Sequence, residues 1–93
     1  MTADAVAPTQ VPSLSPMYLF RWEEPQQAHV LLYPEGVVKL NETAAAILAL
    51  CDGHRSAADI AATLSERYEA NVAPGVYRFL EVSYAKGWIR TDP

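Results

Sequence analysis

The sequence predicts an α+β domain of winged-helix-like plan, a three-stranded antiparallel sheet followed by a three-helix bundle. Three observations carry that prediction. Apolar residues alternate with period two between positions 18 and 40, then recur with helical spacing to about position 86. Turn-forming residues interrupt the first stretch, and residues that cap or stop helices punctuate the second. The chain has 93 residues and 51% of them are apolar, enough for one small core and no second one.

Each element follows from its local chemistry. Residues 1–16 carry Pro8, Pro12 and Pro16 among Ala, Thr, Ser and Gln. Proline removes backbone donors and drives its preceding residue to extended geometry, so a flexible Pro-rich arm is expected, with the folded domain spanning 17–93. Tyr18, Phe20 and Trp22 alternate with Leu19, Arg21 and Glu23, the pattern of a half-buried strand. A polar turn containing Pro25 leads to a second strand, His29-Val30-Leu31-Leu32-Tyr33, and a third over 37–40. Between them stands Pro34-Glu35-Gly36: proline pre-sets φ for the first turn position, and glycine accepts the left-handed geometry that closes a hairpin.

Asn41 is placed to cap a helix whose apolar stripe is Ala44, Ile47, Leu48 and Cys51, with Gly53 just past its end. Ser56 and Asp59 form an aspartate version of the capping box and open a second helix with the stripe Ile60, Leu64 and Tyr68. Pro74 sits where a helix tolerates proline, in its first turn. The third helix then places Val76, Phe79, Leu80 and Ser83 on one face and stops at Gly87, after which Trp88-Ile89 should fold back as an apolar anchor.

Charge and composition exclude several classes. Seven Lys+Arg stand against eleven Asp+Glu, a net of −4, which argues against general binding to nucleic acid or an anionic membrane. One cysteine excludes an intramolecular disulfide framework. Residues 1–16 lack the basic and apolar regions of a signal peptide, and no apolar run approaches the roughly 20 residues of a membrane-spanning helix. A soluble, cytoplasmic domain is expected.

Asp52, His54 and Ser56 include the letters of a catalytic triad, but they crowd one helix junction where turn and cap roles already explain two of them. Cys51 and His54 have the spacing of half a zinc site without a second half, and Cys51 lies on an apolar stripe, as core cysteines do. No glycine-rich loop follows a strand to cradle phosphate. Neither catalysis, metal nor cofactor is expected. A winged-helix DNA-binding regulator is the alternative reading, with 56–68 and 74–86 as its helix pair. It founders on the scattered cations, because phosphate contacts require several on one face.

Peptide capture fits better. The strand 37–40 lies at a sheet edge, and an open edge templates another strand through its free N–H and C=O groups. The third helix would be the opposite wall, through Val76/Phe79/Leu80/Ser83 and the neighbouring Tyr77/Glu81/Tyr84 stripe. The same residues also read as plain core with a solvated tyrosine rim, and Lys39 as an edge guard against aggregation.

The run His29-Val30-Leu31-Leu32-Tyr33-Pro34-Glu35-Gly36, then Lys39-Leu40-Asn41-Glu42-Thr43-Ala44-Ala45-Ala46-Ile47-Leu48, then Asp52-Gly53, closely resembles the PqqD family of pyrroloquinoline quinone (PQQ) biosynthesis. Phe79-Leu80 and Trp88-Ile89 fall where that family has its last helix and terminal anchor, so the resemblance spans about 18–89. It implies a non-catalytic peptide chaperone, similar to the recognition elements of ribosomally made, modified peptides (RiPPs). Such a domain binds the precursor peptide PqqA and presents it to the radical-SAM enzyme PqqE, which crosslinks a glutamate and a tyrosine of the precursor. The family's mode is strand addition. Carried over, Val37, Val38, Lys39 and Leu40 match the edge strand, and Val76, Leu80, Ser83 and Tyr84 match the helix wall. One departure stands out: relatives often carry acidic residues before the valine that opens the third helix, where this chain has Pro74-Gly75-Val76. A monomer is expected as the working state, with an exchanged dimer through the short hinge at 41–43 as a crystal form.

Overall fold

Period-two alternation becomes a three-stranded meander. The computed structural model describes residues 6–93. Among them the elements run β1 (Val11–Leu14), β2 (Leu19–Glu23), β3 (Ala28–Tyr33), β4 (Gly36–Lys39), α1 (Glu42–Ala49), α2 (Ala57–Tyr68), α3 (Ala73–Ala85) and β5 (Ile89–Asp92). The α+β class and the expected order, three meander strands and then three helices, are both present. In the meander β2 pairs β3 antiparallel through Trp22↔His29 and Phe20↔Leu31, and β3 pairs β4 through Leu31↔Val38. One face therefore turns Phe20, Leu31, Val38 and Leu40 toward the helices, and the other carries Leu19, Arg21, Val37 and Lys39.

In the strands and the arm, two expectations need correction. The hairpin at Pro34-Glu35 forms, but Gly36 is not among the residues with positive φ; it sits in β4 opposite Tyr33. Its missing side chain matters for space, since a Cβ there would lie 3.4 Å from the Tyr33 hydroxyl. The second correction concerns the arm. Val11–Leu14 pairs antiparallel with Ile89–Asp92 in a second, two-stranded sheet. The preceding residues dock as well: Ala57 and Ala58 donate backbone N–H groups to the carbonyls of Gln10 and Pro8, and Val6 is buried in the core. Three prolines do not prevent this, because β1 is an edge strand and tolerates a missing donor. Residues 1–5 of the expected arm lie outside the described residues.

The helix ends follow their caps except at the end of α1, which was expected to carry Cys51 and stop at Gly53. It closes instead at Ala49 in a tightened turn, Leu50 and Cys51 donating to the carbonyls of Ile47 and Leu48, with Gly53 at φ 80 in the connection that follows. Asn41 Oδ1 accepts from the Ala44 N–H at 2.8 Å, and Ser56 with Asp59 closes a reciprocal capping box. At the far end of α3, Trp88 N–H donates to the Ser83 carbonyl and Gly87 N–H to that of Tyr84, with Gly87 at φ +79. This is a Schellman stop, and it turns the chain so that Ile89 enters the core. The same bond pattern ends α2, but Glu69 occupies its left-handed position at φ 52.

Leu31, Ile47, Ile60, Leu64, Leu80 and Ile89 are the largest buried side chains of the core between sheet and helices. Each stabilises the fold by about 1.5–3 kcal/mol relative to exposure. Tyr68, expected on the buried stripe of α2, is instead exposed at that helix's end.

Candidate functional site

The edge of the meander has a definite hydrogen-bond parity. Leu40 N–H donates to the His29 carbonyl of β3 at 3.0 Å. Antiparallel ladders alternate, so Val38, two residues earlier, also bonds toward β3, whereas Val37 and Lys39 turn their N–H and C=O groups to the open side of β4. β4 ends the strand order of its sheet, with β3 as its one strand partner among the described residues. Two residues thus offer outward donors and acceptors.

Beside the end of β4 lies a groove of about 700 Å³. Asn41, Thr43, Ala44 and Ile47 of the α1 start form one side, Leu64 and Tyr68 of α2 its floor, and the outer flank of α3 the other side. That flank is Gly75, Arg78, Phe79 and Val82, which fall together on a helix because they are spaced three, one and three residues apart. The lining contains one cation, Arg78, and no carboxylate. The first turn of α3 carries no acidic residue, and its cap position, Val72, has no polar side chain to cap with. Instead the Ala73 N–H donates to Asn71 Oδ1 at 3.2 Å, so the helix start beside the groove is met by a neutral amide and no carboxylate.

The residues expected as a site divide sharply. On β4, Val37 is 60% exposed and Lys39 is exposed, while Val38 and Leu40 point inward and Leu40 is buried. On α3, Leu80 and Ser83 are both 0% exposed, so their side chains face the core and offer no surface. Val76 is buried too, yet it forms part of the groove wall. Tyr84 is 37% exposed but does not line the groove, since it lies on the opposite flank of the buried stripe. Ser83 Oγ is buried without a hydrogen-bond partner. The accessible wall residues Gly75, Arg78 and Val82 were missed. Their signal was present as a second apolar stripe, Val72/Phe79/Val82, alongside the one that is buried.

The remaining polar candidates have structural partners. Asp52 Oδ1 accepts the His54 N–H, and Asp52 pairs with the Arg55 guanidinium. The His54 backbone bond is the main cause holding the Asp52 carboxyl below its usual pKa. Ser56 spends its hydroxyl on the α2 cap. Cys51 Sγ reaches the Ile47 carbonyl at 3.3 Å, and burial, with the Asp52 charge second, pushes its thiol pKa up to about 12. Among the described residues no group of three His, Cys, Asp or Glu is able to hold a metal, and no helix is long and apolar enough to cross a membrane.

Fold and site together define a small α+β domain built around an open sheet edge and an adjoining apolar groove. The chain belongs to the PqqD family: the family model described as coenzyme PQQ synthesis protein D matches residues 28–89. A PqqA binding protein of Methylococcus capsulatus is 46% identical over 87 residues, 92% of this chain and 94% of that one. Another, from Azotobacter vinelandii, is 49% identical over 81 residues, 85% of this chain and 88% of that one. The solution NMR structure of the PqqD truncation of Methylobacterium extorquens PqqCD superposes with a TM-score of 0.76 at 30% identity, covering 97% of this chain and 99% of that one. That protein is described as a functional, stand-alone RiPP recognition element.

Proposed function

We propose that this chain is a non-catalytic peptide chaperone that binds the precursor peptide PqqA by strand addition and presents it to the radical-SAM enzyme PqqE. The observation that carries the reading is the juxtaposition of outward-facing backbone groups at Val37 and Lys39 with an apolar groove that starts at Asn41. Main-chain bonds then hold the peptide, and the groove selects it by its side chains. Each strand hydrogen bond contributes only about 0.5–1.5 kcal/mol net, and ordering a disordered peptide costs part of that, so groove burial supplies most of the selectivity. Lys39 and Arg78 suit an acidic peptide.

Four of the eight expected site residues stay in this reading: Val37 and Lys39 as backbone partners, Leu40 as the buried support beneath them, and Val76 at the groove wall. The working unit is a monomer acting on a ribosomally made peptide in the cytoplasm. An amide NMR titration with unlabelled PqqA tests the whole. Shifts confined to 37–40 and to Gly75, Arg78, Phe79 and Val82 are expected. Shifts centred on Tyr77 and Tyr84 would move the peptide to the other flank of α3, and no shifts at high excess would end the reading. Sedimentation across a concentration series checks the monomer.

A further inference from the structure

We propose that the crevice between Trp22 and α1 is a second docking surface, taking a basic segment with an apolar anchor side chain on the enzyme that acts on the captured peptide. This rests on the presentation reading above and names the face that reading leaves open.

Trp22 stands at the end of the meander, opposite His29, and is 46% exposed. Despite that exposure the ring is held on two sides. Its indole N–H donates to Glu24 Oε2 at 2.6 Å, and its edge meets His29 at 5.2 Å between centroids. His29 in turn stacks on Phe20 at 4.9 Å and 8°. An exposed tryptophan whose orientation is already set loses little entropy on binding, the property of an interface anchor. Facing it, α1 presents Ala45, Ala46 and Ala49. These short side chains leave two adjoining cavities of about 260 and 300 Å³, both walled by Trp22, His29 and Glu42.

Charge selects the occupant. Glu42 is part of both walls, neither includes a lysine or arginine, and Glu24 is tied to the indole beside them. The nearest arginine on β2, Arg21, is engaged by Glu23 at 3.1 Å. A basic partner surface complements this rim. A second copy of the chain in a two-fold arrangement would set Glu24 and Glu42 against their own kind. The position also suits presentation. At about 100° per residue, Glu42, Ala45, Ala46 and Ala49 project from the flank of α1 opposite Thr43, Ala44 and Ile47, which line the peptide groove. The peptide groove and the smaller cavity share one lining residue, Asn41 at the start of α1, and their other walls are separate, so both surfaces have room to be filled at once.

The test measures the affinity of the full chain for PqqE and, separately, for PqqA, with Trp22→Ala, Ala49→Arg and Glu42→Gln. Ala49 is an exposed helix position, so its arginine variant blocks the crevice without touching the core. Trp22→Ala and Ala49→Arg are each expected to weaken PqqE binding about tenfold or more while PqqA affinity stays within about twofold. Glu42→Gln should weaken it by a smaller factor and flatten its salt dependence. Unchanged PqqE affinity in both blocking variants overturns the inference. So does a parallel loss of PqqA binding, or a wild-type self-association that the same variants abolish. If the wild-type chain binds PqqA but never PqqE, presentation itself fails and this surface with it.

Discussion

The two flanks of α1 share the run Ala44-Ala45-Ala46 between them and face different chemistry. Toward α3 the helix offers Thr43, Ala44 and Ile47 to a hollow whose one charged side chain is Arg78. Toward the sheet end it offers Ala45, Ala46 and Ala49 to a crevice whose one acidic lining residue is Glu42. A run of alanines keeps both flanks smooth, so neighbouring elements decide what each accepts. On the proposed reading, one short helix separates a peptide site from a partner site and keeps their charges apart.

Substitutions can break that comparison or sharpen it. The largest effect belongs to the shared core. Leu80→Ala should cost about 2–5 kcal/mol in urea denaturation, and both flanks should lose binding together as the fold fails. A backbone change separates them. Lys39→Pro removes an outward donor and should weaken PqqA binding about tenfold with PqqE affinity intact, whereas Val38→Pro removes a β3–β4 bond and should destabilise the sheet itself. Calorimetry with each partner, beside a melting curve, distinguishes the two.

Val82→Glu places a carboxylate on the groove wall at a position 39% exposed. It should lower PqqA affinity by several-fold while stability stays within about 0.5 kcal/mol, because no core contact is lost. A fall in PqqE affinity instead would mean that the two surfaces overlap.

Two smaller effects should spare both flanks. Cys51 has its thiol pKa raised to about 12, so the folded chain keeps a proton that the unfolded chain releases from about 9. This contribution is complete below that pH and is lost as pH rises toward 12. The fall in stability above pH 9 should therefore be shallower in Cys51→Ala than in the wild type. Finally, Glu69→Gly relieves a left-handed residue at the end of α2 and should raise stability by about 0.5–1 kcal/mol in thermal melts.

Much of the fold was legible because its determinants are local. Asn41, the Ser56–Asp59 box and Gly87 each act within a few residues, and each does what its chemistry dictates. The Pro34-Glu35 turn sets the β3–β4 register in the same way. The candidate site was legible only in outline. β4 and α3 were both identified, but two of the four α3 residues chosen, Leu80 and Ser83, are fully buried. Helix α3 carries two adjacent apolar stripes, and helical periodicity does not say which one a neighbouring sheet and helix will cover.

By itself the sequence determined the class of the fold, the starts of α1 and α2 at Asn41 and Ser56, the stop of α3 at Gly87, the β3–β4 hairpin and the family, since all of these rest on short-range patterns. Only the tertiary structure decided the rest. It paired the proline-bearing segment Val11–Leu14 with Ile89–Asp92 at the opposite end of the chain. It turned the free donors of β4 to Val37 and Lys39, and it buried Val76, Leu80 and Ser83 while leaving Phe79 and Val82 beside a groove. The reason is common to all three: each depends on which distant surface excludes water from a residue, and that surface exists only once the chain has folded.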